Sequence, residues 1–296
     1  MFKFVGKVFV SYYIIFVPGY EYYKYYIRQP YDLSERYGDK SWVVITGASD
    51  GLGKEFAKQF AQKGFNLFLI SRTESKLKDV SDSCKEYNVE TKYMVKDFTK
   101  SYQTDFFDDI MKETEELDVS VLVNNVGVGG GGPLESYKKE KLYDFISVNL
   151  IPQTVLSYKF LSRMVKREKK SSVINLSSIA GTQPFATSPV YSSTKVYNDH
   201  FSRAWAQDFS DKIDIMSVRP GYVSTPMTNH RKLSFGTITT EESVAGALRN
   251  LGHEVYTNGN FNHFLIGYAL SKIPDTIIQP YFLKLKKASR QREGKS

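Results

Sequence analysis

Residues 42–56 read WVVITGASDGLGKEF, an apolar segment that leads through a glycine-containing turn into a segment with helical periodicity. Valine and isoleucine in an unbroken run favour a buried strand. Glycine then permits a tight turn and lets backbone N–H groups and a helix N-terminus, expected near Leu52, approach a pyrophosphate. The stretch therefore predicts the phosphate-binding loop of a dinucleotide site, with contacts at Gly47, Ser49, Gly51, Leu52 and Gly53.

The same alternation of apolar and helical segments continues along the chain, which strengthens a signal that three glycines alone would leave weak. Six short apolar runs predict strands at residues 42–47, 66–71, 91–97, 119–125, 172–178 and 214–221. Continuous apolar strands that alternate with helices are typical of a parallel sheet covered on both faces. We therefore predict a single α/β domain over residues 39–255, built on a Rossmann-like, doubly wound parallel sheet.

Composition limits the classes of partner. Hydrophobic residues make up 41% of the 296 residues, charged residues make up 24%, and the formal net charge is +8. A positive balance favours anionic partners such as phosphate-bearing cofactors, acyl carriers or a membrane surface, but no nucleic-acid recognition motif accompanies it, so we predict no nucleic-acid partner. The single cysteine, Cys84, excludes an internal disulfide, and the four histidines show no metal-ligand spacing, so we predict no metal site.

Both termini carry features of a membrane surface protein. Residues 1–38 form an aromatic extension whose apolar run, residues 8–17, is too short to span a bilayer and stops at Pro18. The dense tyrosines suit the headgroup level of a membrane, while packing on the protein's own domain or on a partner protein is the alternative. The C-terminal segment, residues 256–296, combines an apolar helix with basic residues suited to an anionic membrane surface, namely Lys284, Lys286, Lys287, Arg290 and Arg292.

The ends of the second and third predicted strands bear on the cofactor. NAD sites usually carry an acidic residue after the second strand, whereas this chain has Ser71 and Arg72 there. A guanidinium matches a 2′-phosphate in a forked geometry, which favours NADP(H); an exposed arginine at a helix start is the alternative. At the end of the third strand, Asp97 could accept a hydrogen bond from the adenine amino group.

The stretch PVYSSTK, residues 189–195, places Tyr191 and Lys195 four positions apart, so that their side chains share one helix face. A free phenol has a pKa of about 10. A neighbouring ammonium group could lower the pKa of Tyr191 toward neutrality and make the phenol a general acid. Such pairs are usually solvated surface, so the interpretation depends on the rest of the chain.

These motifs together resemble the short-chain dehydrogenase/reductase family over about residues 40–255. The resemblance is carried, in order and spacing, by TGASDGLG, NNVG, Asn149 in ISVNL, Ser178 in NLSSIAG, YSSTK and RPGYVSTPM, and Ser178 and Tyr191 lie 13 positions apart, as is usual in that family. Longer segments, such as the run from WVVITG to LISRTESKL, are similar to the branch that contains very-long-chain 3-oxoacyl-CoA reductases and hydroxysteroid dehydrogenases. Members of that branch are typically membrane-associated at the endoplasmic reticulum and use NADPH.

The resemblance implies roles for individual residues. Tyr191 would be the general acid, Ser178 would hold the substrate oxygen, and Lys195 would modify the pKa of the tyrosine and bind the ribose. Asn149 would position a water molecule in a proton relay. Further cofactor contacts are implied, beyond those already named, at Asn124, Pro220, Val223 and Thr225.

The resulting expectation is an NADPH-dependent reductase of a hydrophobic ketone, preferably a long-chain 3-oxoacyl-CoA. A steroid-type ketone is the alternative within the same chemistry, and a cofactor-binding accessory subunit of a membrane complex is the alternative of another class. Residues 227–240 would form a mobile lid over the substrate, where His230, Arg231 and Lys232 would either meet an acyl-CoA phosphate or lie in a solvated loop. Homodimers through the helices that carry Asn149 and Tyr191 are implied by the family, and a mitochondrial membrane is the alternative location.

Overall fold

The structure is a computed structural model that describes residues 11–132 and 134–293, with side chains up to residue 284. The start of the predicted apolar run, residues 8–10, and the basic side chains of Lys286, Lys287, Arg290 and Arg292 lie outside what is described. The six predicted strands are all present, and the predicted doubly wound parallel sheet is confirmed.

The central sheet has seven strands, all paired in parallel, in the order β3-β2-β1-β4-β5-β6-β9. Its strands are β1 (Trp42–Thr46), β2 (Asn66–Ser71), β3 (Thr91–Val95), β4 (Val119–Asn124), β5 (Ser171–Leu176), β6 (Ile213–Val218) and β9 (Tyr256–Thr257). Two short strands, β7 (Tyr222–Val223) and β8 (Thr237–Ile238), form a separate pair. Strand order reverses between β1 and β4, and this switch point is where open α/β sheets bind their ligands.

Helices cover both faces of the sheet. They are α1 (Val17–Tyr26), α2 (Leu33–Tyr37), α3 (Gly51–Gln62), α4 (Glu74–Cys84), α5 (Asp108–Glu113), α6 (Lys139–Asn149), α7 (Ile151–Met164), α8 (Pro189–Asp208), α9 (Thr240–Asn250), α10 (Phe261–Ser271) and α11 (Asp275–Glu293). A π-helical turn at Tyr12–Phe16 leads directly into α1.

Strand β1 shows why the apolar strands need cover on two sides. Val43 and Ile45 belong to one buried cluster, while Trp42 and Val44 belong to another. Successive side chains of a strand point to opposite faces of the sheet. A strand that is apolar at every position therefore requires helices on both faces, which is the arrangement observed.

The N-terminal extension docks on the far edge of the sheet. The hydroxyl of Tyr25, on α1, lies 3.0 Å from Thr257 Oγ1 and accepts a 3.0 Å hydrogen bond from the backbone N–H of Asn258. Arg28 forms a 2.6 Å ion pair with Glu254. Strand β9, which begins directly after the predicted end of the α/β domain at residue 255, thus joins the sheet and is held in place by α1.

The rest of the extension leaves aromatic and aliphatic side chains in solvent. Between 49% and 69% of the surface of Tyr12, Ile14, Ile15 and Phe16 is exposed. The extension therefore combines a face packed on the domain with an uncovered apolar face. Among the described residues, none of the helices is both long enough and apolar enough to traverse a lipid bilayer.

Candidate active site

A cavity of about 790 Å³ opens at the carboxyl ends of β1, β4, β5 and β6. A volume of this size suits a cofactor or a drug-sized ligand. The predicted site residues that line it are Gly47, Ser49, Gly51, Leu52, Arg72, Asp97, Ser178, Tyr191, Lys195, Pro220, Val223 and Thr225. Residues distant in sequence thus converge at the switch point of the sheet.

The glycine loop has the conformation that the sequence requires. Gly47 and Gly51 have φ angles of +65° and +53°, which side chains with a Cβ rarely adopt. Gly53 has a different role, because a Cβ there would collide with the carbonyl oxygen of Gly47. Gly53 therefore permits close packing of α3 on the loop and does not itself line the cavity.

The end of the cavity next to the carboxyl end of β2 is polar. Ser49 and Ser71 are joined by a 2.8 Å hydrogen bond between their hydroxyl groups, which fixes the glycine loop to the end of β2. Arg72 follows immediately, is exposed and lines the cavity. Asp97 lines it as well, and its carboxylate accepts a hydrogen bond from the backbone N–H of Thr99 at 3.1 Å. This end of the cavity fits a phosphate-bearing adenosine.

Asn124, one of the predicted cofactor contacts, is buried inside the domain and does not line the cavity. It is 3% exposed, and its amide nitrogen donates to Asn175 Oδ1 at 2.9 Å and to Ser157 Oγ at 3.2 Å. It therefore ties β4 to β5 and α7 inside the domain. The next residue, Asn125, donates to the carbonyl of Thr46 at 2.9 Å, and it is this second asparagine of the motif that lines the cavity.

Ser178, Tyr191 and Lys195 converge as predicted. The hydroxyl of Ser178 lies near enough to the phenol of Tyr191 to lower its pKa, and the ammonium nitrogen of Lys195 lies 5.9 Å from the centre of the tyrosine ring. Lys195 is 5% exposed and donates to the carbonyl of Leu176 at 2.7 Å. Gly181 allows α8 to approach this closely, because a Cβ at that position would lie 2.7 Å from the Lys195 carbonyl oxygen.

Burial determines the protonation of the pair. It raises the pKa of Tyr191 above its ordinary value, against a smaller lowering by the Ser178 hydroxyl, and it lowers the pKa of Lys195 to about 8. The pKa of Tyr191 is therefore not lowered toward neutrality as expected, because desolvation of the phenolate is the largest effect on it. At neutral pH the phenol keeps its proton and the lysine remains charged.

Asn149 lies behind the part of the cavity wall that Lys195 forms, and it does not itself line the cavity. Its side chain accepts from the backbone N–H of Val128 at 2.8 Å and donates to Thr194 Oγ1 at 3.0 Å. A Cβ on Gly127 would lie 3.5 Å from Asn149 Oδ1 and 3.6 Å from Lys195 Nζ. Asn149 thus fixes the loop after β4 beside Lys195, and the implied water relay stays a prediction.

His263, on α10, supports the turn after β6, a role that its sequence position did not reveal. It is 0% exposed, and its Nδ1 accepts from the backbone N–H of Gly221 at 3.0 Å. Burial lowers its pKa, so the ring is neutral and carries its proton on Nε2. A Cβ on Gly221 would lie 2.7 Å from the ring. The glycine of the RPG motif, Gly221, was the one sign in the sequence that another side chain packs closely against this turn.

The remaining wall is apolar. Ile266 and Leu270 of α10 line it together with Phe185 and with Phe282 of α11. Phe185 and Phe282 stack with ring centres 4.7 Å apart. Helix α11 is further held by Gln279, which accepts a hydrogen bond from the backbone N–H of Ala186 at 2.9 Å. The C-terminal segment therefore forms part of the site.

Residues 41–234 match the family model described as short chain dehydrogenase. The chain belongs to the short-chain dehydrogenase family. It is accordingly an oxidoreductase of that family, and its serine, tyrosine and lysine converge on a cavity at the switch point of the sheet.

Relatives within the family indicate the branch. The chain is 35% identical over 258 residues to the very-long-chain 3-oxoacyl-CoA reductase of Anas platyrhynchos, covering 85% of this chain and 82% of that protein. It is 37% identical over 256 residues to very-long-chain 3-oxoacyl-CoA reductase-A of Danio rerio, with coverage of 84% and 79%. A solved 7β-hydroxysteroid dehydrogenase superposes with a TM-score of 0.74 at 25% identity, with coverage of 84% and 98%. The similarity to the predicted branch is thus confirmed.

Proposed function

We propose that this enzyme reduces the keto group of a long-chain 3-oxoacyl-CoA to a hydroxyl group with NADPH. The observation that carries the proposal is the joining of two unlike surfaces in one cavity. A polar end with the glycine loop and Arg72 meets an apolar end formed by Phe185, Ile266 and Phe282, and the serine, tyrosine and lysine lie between them. Relatives named as very-long-chain 3-oxoacyl-CoA reductases support this substrate class.

NADP(H) fits the residues present. Gly47 and Gly51 leave room for a pyrophosphate at the start of α3, where backbone N–H groups and the helix dipole favour negative charge. Arg72 supplies the cation for a 2′-phosphate. When bound, the nicotinamide supplies the hydride.

The residues of the chain supply the proton and hold the oxygen. Ser178 donates a hydrogen bond to the keto oxygen, which fixes it beside the phenol of Tyr191. Tyr191 transfers its proton to this oxygen as negative charge develops there. The charge of Lys195 stabilises the phenolate that remains, and proton return from solvent restores the phenol. Its raised pKa keeps Tyr191 protonated before the reaction.

The substrate's two halves match two parts of the cavity. The acyl chain lies along the apolar wall of α10 and α11. The segment after β7 contributes Met227, Thr228 and Gly236 to the cavity, and its exposed His230 and Arg231 meet the phosphates of coenzyme A. The guanidinium of Arg231 lies 4.1 Å from the centre of the exposed Tyr222 ring, which places a positive charge beside the opening.

A steroid-type ketone is the second candidate. The solved 7β-hydroxysteroid dehydrogenase supports it, since that structure covers 84% of this chain. A rigid steroid would use the apolar wall but would not need the basic residues after β7. The accessory-subunit alternative is weakened by the intact catalytic residues Ser178, Tyr191 and Lys195.

The test is oxidation of NADPH, followed by nicotinamide absorbance, with a long-chain 3-oxoacyl-CoA as substrate. Wild-type protein is expected to oxidise NADPH with this substrate. The rate in Tyr191→Phe is expected to be lower by at least about a hundredfold, because the general acid is removed. Tyr158→Phe is the matched control, since Tyr158 is 77% exposed on α7. NADPH binding without turnover, combined with oxidation when a steroid ketone is supplied, would replace the acyl-CoA proposal with the second candidate.

We further propose that the enzyme works at the endoplasmic reticulum membrane, with the exposed aromatic residues of the extension in the headgroup region.

Homodimerisation through α6 and α8 is supported by apolar side chains left exposed on them, Tyr143 (60%) and Ile146 (50%) on α6 and Tyr197 (39%) on α8. The mass of the protein in mild detergent, measured by light scattering, tests the dimer.

A further inference from the structure

A second cavity, of about 240 Å³, borders another face of helix α10. Ile266 and Leu270 of this helix line the catalytic cavity, whereas Phe264, Gly267 and Tyr268 line the second one. The two cavities are therefore separated by the helix, and nothing in the reduction chemistry uses the second. Its volume lies below the range of about 300–1,000 Å³ that is usual for drug-sized ligands, so it fits a small group.

Arg219 provides the principal charge in the wall of this cavity. Its side chain is 12% exposed, and its guanidinium carbon lies 3.6 Å from the centre of the Tyr256 ring. Stacking on an aromatic face orients the planar guanidinium. Its Nε is buried without a hydrogen-bond acceptor among the described residues. A fixed guanidinium with unused donors is suited to an oxyanion.

Among the described residues that line this cavity, Asp199 is the one carboxylate, and it is already engaged by other donors. Asp199 accepts a 2.7 Å hydrogen bond from Ser217 and pairs with Arg203 at 3.2 Å. Arg219 Nε is more distant, at 3.5 Å from Asp199 Oδ1. Two arginines thus face one carboxylate, and the cavity keeps an excess positive charge. Burying such a charge without a full set of acceptors is costly, and an anion in the cavity would relieve that cost.

We propose that this cavity binds the phosphoryl group of a phosphate-bearing ligand, with Arg219 and Arg203 as its charged contacts. The forked donors of arginine match phosphate oxygens in geometry as well as charge. The wall also includes Tyr268, whose hydroxyl donates to the carbonyl of Tyr13 at 3.0 Å. The cavity therefore adjoins the turn that carries the exposed aromatic residues. A lipid headgroup and a free phosphate compound share this chemistry.

The first experiment is calorimetric titration of the full-length protein with inorganic phosphate at constant ionic strength. NADPH is kept saturating, so that phosphate does not occupy the glycine loop of the catalytic cavity. Saturable binding is expected in the wild type, and Arg219→Gln is expected to weaken it by about tenfold or more, because a charge-assisted contact is lost. Lys85→Gln is the matched control, since Lys85 is exposed and follows α4 near the opposite edge of the sheet.

A second variant guards against misfolding. Ser271→Glu places a negative charge at an exposed position in the cavity wall, so it is expected to weaken phosphate binding while the thermal unfolding midpoint stays near that of the wild type. Absence of saturable phosphate binding to the wild type would overturn the proposal. Equal phosphate affinity in the wild type, Arg219→Gln and Ser271→Glu would also overturn it.

Vesicles distinguish the two sources of the phosphoryl group. Cosedimentation is measured with phosphatidylcholine vesicles, with and without phosphatidic acid. A lipid headgroup predicts extra binding to phosphatidic acid that Arg219→Gln loses and Lys85→Gln keeps. A free phosphate compound predicts equal vesicle binding by both variants, together with the loss of phosphate affinity in Arg219→Gln.

Discussion

Tyr191 and Lys195 illustrate how far spacing along a helix determines chemistry. The spacing of four residues places the two side chains next to each other on one helix face, but burial determines their protonation. Desolvation disfavours both charged forms, so it raises the pKa of the phenol and lowers that of the ammonium. The outcome is a protonated acid beside a charged lysine at neutral pH, which is the state that a reductase needs at the start of its reaction.

The pKa of Lys195 predicts a pH dependence. Since burial lowers it to about 8 from the usual 10.5, the charge that stabilises the phenolate is lost as the pH rises through about 8. We expect kcat for ketone reduction to fall above this pH, measured from NADPH oxidation across a buffer series. Between about pH 8 and pH 10.5, Lys195 carries its proton in the unfolded chain but has lost it in the folded one. The free energy of unfolding should therefore rise with pH in that window.

Lys195→Arg provides the comparison for this profile, because a guanidinium stays charged throughout the range. In that variant the fall in rate should move to higher pH, toward the titration of Tyr191. An unchanged profile in Lys195→Arg would assign the fall to another group.

Arg72 gives a prediction on cofactor choice. Arg72→Gln removes the proposed partner of the 2′-phosphate, so the KM for NADPH should rise by about tenfold or more while the KM for NADH changes little. Initial rates with each cofactor measure the two constants. Lys78→Gln, which changes an exposed charge on α4, should alter neither of them. A parallel rise of both constants in Arg72→Gln would contradict a role specific to the 2′-phosphate.

At the scale of elements, α10 connects three parts of the molecule. It lines the catalytic cavity through Ile266, lines the second cavity through Gly267, and contacts the N-terminal turn through Tyr268. Through His263 it also holds the turn after β6. A single helix thus sets the position of the cofactor-facing turn relative to the extension.

This arrangement predicts that His263 is a positioning residue. His263→Leu leaves the N–H of Gly221 without its acceptor, which costs about 1–3 kcal/mol of folding stability. If His263 positions the turn, this variant should also raise the KM for NADPH at a temperature where it is fully folded, measured by initial rates. His263→Asn, which keeps an acceptor, should recover part of the affinity. Loss of stability without a change in KM would mark a purely structural role.

At the scale of the whole molecule, the extension presents apolar side chains that stay more than half exposed, among them Ile14 (68%), Ile15 (69%) and Phe16 (59%). We expect replacement of Ile14, Ile15 and Phe16 by serine to weaken binding to phosphatidylcholine vesicles by at least about tenfold, because apolar burial drives interfacial attachment. Cosedimentation measures the effect. The matched control is Tyr102→Ser, which removes an aromatic side chain that is 65% exposed elsewhere. Equal vesicle binding in all variants would show that these side chains do not drive attachment to lipid.

The family, the parallel sheet and most of the residues that line the candidate site could be predicted from the sequence alone. These rest on local patterns: apolar runs for strands, glycines where φ is positive, and a tyrosine and a lysine at helical spacing. Each pattern reports a constraint that acts within a few residues, so it can be read along the chain. Gly47, Ser178 and Tyr191 belong to this class.

The remaining features could be found only from the three-dimensional structure, because they depend on contacts between distant segments. Strand β9 is too short for an apolar pattern, and it is held by Tyr25 from the N-terminal extension. Asn124 proved to be internal because its amide meets Asn175 across the sheet. His263 gained its role, and Tyr191 its raised pKa, from surroundings built by several elements, since burial and hydrogen bonding are properties of a packed volume.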